Sequence, residues 1–259
     1  MRIPRHIGII PDGNRRWACE KGMTKEAGYD HGISPGMELY HLCRELGIGE
    51  MSFYGFTVDN TKRPSVQRMA FSRACVKAVE TLSKEDAQLL VLGNTRSAMF
   101  PRELLPYTTR QTFGNGGMKI NFLVNYSYEW DLGLDKAGRW KERPRRDGEN
   151  EQVGQDGQNG SDGQIRQHGQ NGQGEQVGPG GDGKSDSRDL RDIRLGSAEV
   201  SRIDLIIRWG GRRRLSGFLP VQSVYADIYV VDAYWPDFSV EHVREALRWY
   251  AEQDVTLGG

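Results

Sequence analysis

Three short segments concentrate side chains suited to phosphate. The first is Pro11-Asp12-Gly13-Asn14-Arg15-Arg16-Trp17. Gly13 permits a tight turn, and backbone N–H groups at the start of a following helix would attract an anion, reinforced by Arg15 and Arg16. A carboxylate beside an anion site is costly unless a cation mediates, so Asp12 points to Mg²⁺ held against a diphosphate. An Asp helix cap with two solvated arginines uses the same residues, and the segment alone leaves both readings open. The second segment, Phe56 to Pro64, offers the Thr57 hydroxyl, the Asn60 amide and the cations Lys62 and Arg63. By itself it reads better as an ordinary Asn/Pro turn. The third, Arg208 to Gly217, holds Arg208, Arg212, Arg213 and Arg214 with Gly210, Gly211 and Ser216. Paired glycines let backbone approach a ligand, and guanidinium forks match phosphate oxygens. A basic RNA-binding patch is the alternative, disfavoured because the segment directly follows an apolar run. Asp227 adds a second carboxylate before the last strand. Asp12 and Asp227, with at least five arginines, fit two diphosphates and a divalent metal between them. Trp17, Phe53, Tyr54, Phe56, Phe122 and Trp209 could line an apolar cavity, although each one singly reads as core.

These segments need a scaffold that brings loops together. Apolar runs bounded by turn residues occur at 6–10, 51–56, 88–92, 119–125, 203–207 and 227–231. They suit strands buried on both faces. Helical stretches lie at 14–21, 35–46, 65–82 and 240–253, the last with an N-cap at Ser239. The alternation predicts an α/β fold, a mostly parallel six-stranded sheet flanked by helices. Ligands of such sheets gather beyond the C-terminal strand ends, where the phosphate-type segments fall.

The chain has 259 residues, 35 Lys plus Arg and 35 Asp plus Glu, for a formal net charge of zero, which disfavours nucleic acid as a partner. No run reaches the ~18 apolar residues of a membrane span, and the N-terminus lacks a signal-peptide core. Cys19, Cys43 and Cys75 are scattered and form no CxxC pair, so neither a disulfide framework nor a cysteine zinc site is expected. A cytoplasmic protein is expected. Residues 148–183 contain twelve glycines and no aromatic residue. Such a stretch cannot offset a backbone-ordering cost of roughly 1–2 kcal/mol per residue. We therefore expect one domain spanning 1–259, interrupted by a low-complexity, disordered insert at about 141–197.

Taken in order, the motifs resemble the cis-prenyltransferases, the undecaprenyl and polyprenyl diphosphate synthase family. His6 to Ala18 resembles H-x-x-x-I-x-D-G-N-x-R-W-A. Phe56 to Pro64 is similar to F-S-x-E-N-W-x-R-P, and Asp204 to Leu219 to D-L-x-I-R-T-G-G-E-x-R-L-S-N-F-L. Gln222 to Asp227 and Trp235 to Phe238 complete the pattern, which covers about 1–132 and 203–252.

The resemblance implies an undecaprenyl diphosphate synthase-like fold. It implies an enzyme that condenses an allylic diphosphate, such as farnesyl diphosphate, with isopentenyl diphosphate, using Mg²⁺. It also implies a homodimer, and peripheral membrane association through a lipid product. By this likeness Asp12 and Asn60 are catalytic, and Asp12 and Asp227 hold the metal. Gly13, Asn14, Arg15, Arg16 and Trp17 belong to the allylic site, joined by Lys25 and Tyr29 where the family has Arg and His. Thr57 and Arg63 flank Asn60, while Arg208, Arg214 and Ser216 match the isopentenyl diphosphate site. Other departures are Asp59 for Glu, Thr61 for Trp, Ser127-Tyr128-Glu129 for Gly-Gly-Arg, Trp209 for Thr and Arg212 for Glu. Two alternatives remain at this point: a diverged member making a specialised or irregular isoprenoid, and a non-catalytic accessory subunit of a heteromeric enzyme.

Overall fold

Each apolar run becomes a strand, and the residue following it becomes a loop at one edge of the sheet. The computed structural model describes residues 1–135, 139 and 195–254. All belong to one of the chain's two units, 1–141 with 193–259; the other, 142–192, lies outside them. The insert expected at about 141–197 is thus outside the described residues except for its last three. Those three are part of the folded chain. Ser197 is fully buried and donates from its N–H and hydroxyl to the Asp131 carboxylate, at 2.7 and 2.8 Å.

The strands are β1 (His6–Ile10), β2 (Glu50–Tyr54), β3 (Ala87–Leu92), β4 (Gln111–Thr112), β5 (Met118–Leu123), β6 (Leu205–Arg208) and β7 (Asp227–Val230). The helices are α1 (Asn14–Glu20), α2 (Ala27–His31), α3 (Ile33–Glu45), α4 (Ser65–Leu82), α5 (Tyr128–Asp131) and α6 (Val240–Glu252). The sheet runs β4-β3-β5-β2-β1-β6-β7 and is parallel throughout except where β4 pairs antiparallel with β3. It therefore has seven strands rather than the six expected. The extra one has two residues, too few to show a period in sequence. Helix α2 escaped for the same reason, being five residues long and containing Gly28.

Alternate residues of β1 and β6 face opposite sides. Ile7, Ile9, Leu205 and Ile207 join the core beneath α3, α4 and α6. Ile10 and Ile206 face a second core built with Val200, Ile203, Phe218 and Leu219. Among the described residues, that second face is covered largely by irregular chain rather than by long helices. Helix α6 buries Val243, Ala246, Leu247 and Tyr250, a stripe at i, i+3, i+4 and i+7. Ser239 caps it, accepting from the Glu241 N–H at 3.2 Å. A register linking Ile10 to Arg208 and Arg208 to Val230 ends these strands at one level, and their loops open together.

Candidate active site

Beyond those strand ends lies a polar cleft of about 760 Å³. The segments after β1, β2 and β6 meet there, and Asp12 is where two of them join. Arg208, only 3% exposed, donates to the Asp12 carboxylate at 3.0 Å, to the Ser216 hydroxyl at 3.0 Å and to the Arg214 carbonyl. From the other side Arg16 approaches Asp12 at 3.4 Å and donates to the Gly210 carbonyl at 3.0 Å. This crossing depends on glycine. Gly210 has φ +82°, and a Cβ there would stand 2.6 Å from the Arg16 guanidinium and 3.1 Å from the Asp12 carbonyl oxygen. Gly13, at φ +110°, is needed equally, since a Cβ would meet the Tyr234 ring at 2.6 Å. Burial pulls the Arg208 guanidinium below its ordinary value, opposed by its hydrogen bond to Asp12 and that group's charge. The arginine remains charged throughout the physiological range.

The segment after β2 forms another wall. Thr57 caps a 3-10 turn over Val58–Lys62: its hydroxyl accepts from the Asn60 N–H at 3.3 Å, while its N–H donates to the Asn60 amide oxygen at 3.1 Å. That reciprocal pair fixes the Asn60 side chain and leaves its NH₂ group for other partners. Arg63 donates to the Tyr29 hydroxyl at 2.8 Å and lies over the Phe71 ring. Burial raises the Tyr29 phenol above its ordinary value despite the pull of Arg63 and Arg15, so Tyr29 stays neutral. Lys25 is exposed at the rim. Arg15 donates to Gln67 of α4 at 3.3 Å.

The cleft is cationic although the chain as a whole is neutral. Arg15, Arg16, Lys25, Arg63, Arg208, Arg212 and Arg214 face it with Asp12, Glu20 and Asp59: seven cations less three carboxylates, a local +4 in a chain of net zero. Such focusing suits a polyanion. Among the described residues no three His, Cys, Asp or Glu side chains converge as metal ligands. Asp12 alone, about a third exposed, fits Mg²⁺ in the way that ion is usually held, by one or two carboxylates with phosphate oxygens and water completing the shell. Beside the cleft an apolar slot of about 60 Å³ enters the core, lined by Phe53, Phe122 and Trp235 among others.

Comparison with known families settles what this arrangement belongs to. A family model described as "Putative undecaprenyl diphosphate synthase" matches residues 10–258. The chain belongs to the undecaprenyl diphosphate synthase family. It is thereby a transferase of the cis-prenyltransferase type. An isoprenyl transferase of Chromobacterium violaceum is 28% identical over 260 residues, 98% of this chain and 88% of that protein. A ditrans,polycis-undecaprenyl-diphosphate synthase ((2E,6E)-farnesyl-diphosphate specific) of Yersinia pseudotuberculosis is 28% identical over 267 residues, covering 100% and 91%. Among solved structures, lavandulyl diphosphate synthase from Lavandula x intermedia, in complex with dimethylallyl diphosphate, superposes with a TM-score of 0.68 at 18% identity, covering 99% and 98%. That likeness is one of fold.

Two of the expected site residues of this cis-prenyltransferase lie elsewhere. Asp227 opens β7 level with Leu205 and Ile7, at the N-terminal end of the strands, where Arg2 approaches it at 3.8 Å. Asp12 follows the C-terminal end of β1, so at least three strand residues, roughly 10 Å, separate the two levels. Within one chain they cannot share an ion, because parallel strands place residues that precede and follow a strand at opposite edges. Trp17 turns from the cleft. Its indole N–H donates to Asp237 at 2.7 Å and its ring packs on His31. Asn14 lines the cleft, but its amide donates to the Pro11 carbonyl at 3.0 Å and its chain crowds Gly28 and Gly32, a packing role. Of the six candidate cavity aromatics, Phe53 and Phe122 line the slot, Tyr54 lines the cleft, and Phe56 and Trp209 are core. Sequence reasoning passed over Tyr234, whose ring sits 4.9 Å from the Arg16 guanidinium and whose hydroxyl donates to Glu20 at 2.7 Å. Its place in the loop after β7 was the available signal.

Proposed function

We propose that this protein catalyses a Mg²⁺-dependent condensation of an allylic diphosphate with isopentenyl diphosphate, giving a cis-prenyl diphosphate. One observation carries the reading: a focused +4 cleft adjoining an apolar slot. Two diphosphates of about −3 each, with one divalent cation, balance such a cleft to within a charge or so. The slot suits a hydrocarbon and excludes water from it.

Arg15, Arg16 and Lys25 bind the allylic diphosphate, and Arg208, Arg214 and Ser216 bind that of isopentenyl diphosphate. Asp12 would hold the Mg²⁺, which when bound withdraws charge from the departing diphosphate. The arginines stabilise the same negative charge as the allylic C–O bond breaks. The π-bond of isopentenyl diphosphate then forms the new C–C bond, and a proton leaves its C2. Asn60 is an amide and too weak a base to keep that proton; its free NH₂ orients a phosphate oxygen, and the departing diphosphate accepts the proton. Arg63 and the neutral Tyr29 hold the wall beside it. An accessory role has no use for Asp12, Arg16, Arg208 and Ser216 in mutual contact. Cytoplasmic residence and a homodimer go with this reading of the family.

Incubation with radiolabelled isopentenyl diphosphate, an allylic primer and Mg²⁺ tests it. Incorporation is expected, abolished by EDTA and reduced by orders of magnitude in Asp12→Ala with the circular dichroism unchanged. Full turnover in EDTA, or in that variant, would refute the assignment.

A further inference from the structure

The turn after β6 that carries Ser216 is held in a conformation it would not keep unaided. Ser216 has φ +53° and Gly217 has φ +79°. Two left-handed residues in succession are unusual, and for a serine that region is sparsely populated. Three side chains hold them there. Arg208 donates to the Ser216 hydroxyl at 3.0 Å and to the Arg214 carbonyl. Tyr54, the last residue of β2, donates its hydroxyl to the Ser216 carbonyl at 2.8 Å. Tyr128, the first residue of α5, lays its ring over the other side. A Cβ at Gly217 would stand 3.2 Å from the Tyr128 ring and 3.7 Å from the Tyr54 hydroxyl, so Gly217 sits between the two tyrosines.

Each tyrosine is itself fixed. The Tyr54 ring packs edge-on against Tyr126 at 6.2 Å and tilted against Phe218 at 5.2 Å. Burial holds its phenol above the ordinary value, so the group stays neutral, and its single proton is already donated to the Ser216 carbonyl. Tyr54 therefore has neither a proton nor a charge to offer substrate, and acts through the turn. Helix α5 is set by Ser127, whose hydroxyl accepts from the Trp130 N–H at 3.3 Å, and by the buried Asp131 carboxylate, which accepts from the Tyr126 hydroxyl at 2.7 Å. Tyr128 thus projects from an anchored base although its own side chain is part exposed. The resembling motif has glycine at this position, and a glycine would leave that side of the turn uncovered.

We propose that Tyr54 and Tyr128 are positioning residues for isopentenyl diphosphate: they clamp the Ser216–Gly217 turn so that the Ser216 hydroxyl is in place before the substrate arrives, an inference that rests on the prenyl-transfer reading. A turn ordered in advance spares the substrate the cost of ordering it on binding. Because the clamp acts on the turn after β6, its loss should fall on isopentenyl diphosphate and spare the allylic substrate, which the segment after β1 binds.

The test uses the full chain. Isothermal titration with isopentenyl diphosphate and Mg²⁺ gives Kd, initial rates with each substrate varied give the two KM values and kcat, and a thermal melt gives Tm. Tyr54→Phe should raise the Kd and KM for isopentenyl diphosphate about three- to tenfold, the scale of one hydrogen bond between neutral groups. The allylic KM and kcat should stay within about twofold, and Tm should fall by no more than about 4 °C. Tyr128→Ala should act in the same direction, while Tyr128→Phe, which keeps the ring, should behave as the native protein. An unchanged Kd and KM in either folded variant would remove that tyrosine from the clamp and leave prenyl transfer standing. Equal rises for both substrates with a larger fall in Tm would show general loosening and overturn the positioning role. Binding without condensation by the native chain would overturn prenyl transfer, and the Kd values would still decide the clamp. Neither binding nor condensation by the native chain would overturn both.

Discussion

Replacing Arg208 by lysine keeps the charge and removes the fork. In the native site one guanidinium serves Asp12, Ser216 and the Arg214 carbonyl at once. A lysine ammonium, a single point on a flexible stem, can keep the partner of opposite charge but not the other two. Hydrogen bonds from a charged donor are worth about 1.5–3 kcal/mol each. A substrate phosphate oxygen held by the fork loses one such contact, or about 10- to 100-fold in kcat/KM for isopentenyl diphosphate. Arg214 and Ser216 are exposed, so the carbonyl and the hydroxyl that Arg208 releases can be rehydrated. The stability loss should be smaller. Asp12 retains Arg16 at 3.4 Å and about a third of its surface in water, so the 3–5 kcal/mol of a broken buried pair does not apply. About 1 kcal/mol, or a fall in Tm of about 2–4 °C, is expected. Steady-state kinetics with isopentenyl diphosphate varied at saturating allylic primer, together with a thermal melt, give both numbers. A kcat/KM within threefold of the native value would show that the fork does not hold substrate. A tenfold rise in the allylic KM alone would show that Arg208 serves the other diphosphate.

Arg214→Ala should raise the KM for isopentenyl diphosphate ten- to a hundredfold, and Arg16→Ala that for the allylic substrate, by the same scale for one charge-assisted contact. Equal effects on both substrates in initial-rate measurements would replace two sites by one basic surface. Gly210→Ala forces a side chain into the left-handed region and against Arg16. It should lower Tm by about 2–4 °C and weaken allylic binding, so a variant with native Tm and KM would refute the crossing. His6 accepts from the Ser52 hydroxyl at 2.9 Å and donates to the Ser201 carbonyl at 3.0 Å. Burial lowers its pKa from 6.5, outweighing the attraction of Glu50 and Asp204. The unfolded chain then binds more protons between the folded value and 6.5. That stability is fully present above 6.5 and is lost as pH falls through the folded value. Denaturant titrations from pH 8 to 5 should show this loss, and His6→Gln should flatten it; a slope unchanged in the variant would place the titration elsewhere.

The strands and long helices were legible because burial on both faces leaves a continuous apolar run, and a helix on a sheet leaves a stripe; β1 and α4 begin where those patterns begin. The turns and cationic character of the loops were legible as well, since Gly13, Arg16, Gly210 and Arg214 announce turns and charge by residue type. What sequence could not supply was the edge of the sheet on which a residue falls and the partner it meets there. Asp227 and Asp12 are both carboxylates next to strands, but one precedes its strand and the other follows, and parallel pairing sends them to opposite edges. Trp17 follows the same motif as Arg16 yet leaves the cleft, because adjacent helical residues point about 100° apart. The two expected anion cradles meet at a single carboxylate, which depends on the register of β1 with β6 and on a Cβ being absent at Gly210. The apolar slot is likewise a tertiary property. Met37, Met51 and Leu82 come from three distant segments, each reading as ordinary core, and only packing α3, β2 and α4 together brings them to one slot. Local sequence fixes period, turn and charge through short-range sterics; which distant groups touch is decided by sheet register and packing, to which no short window has access.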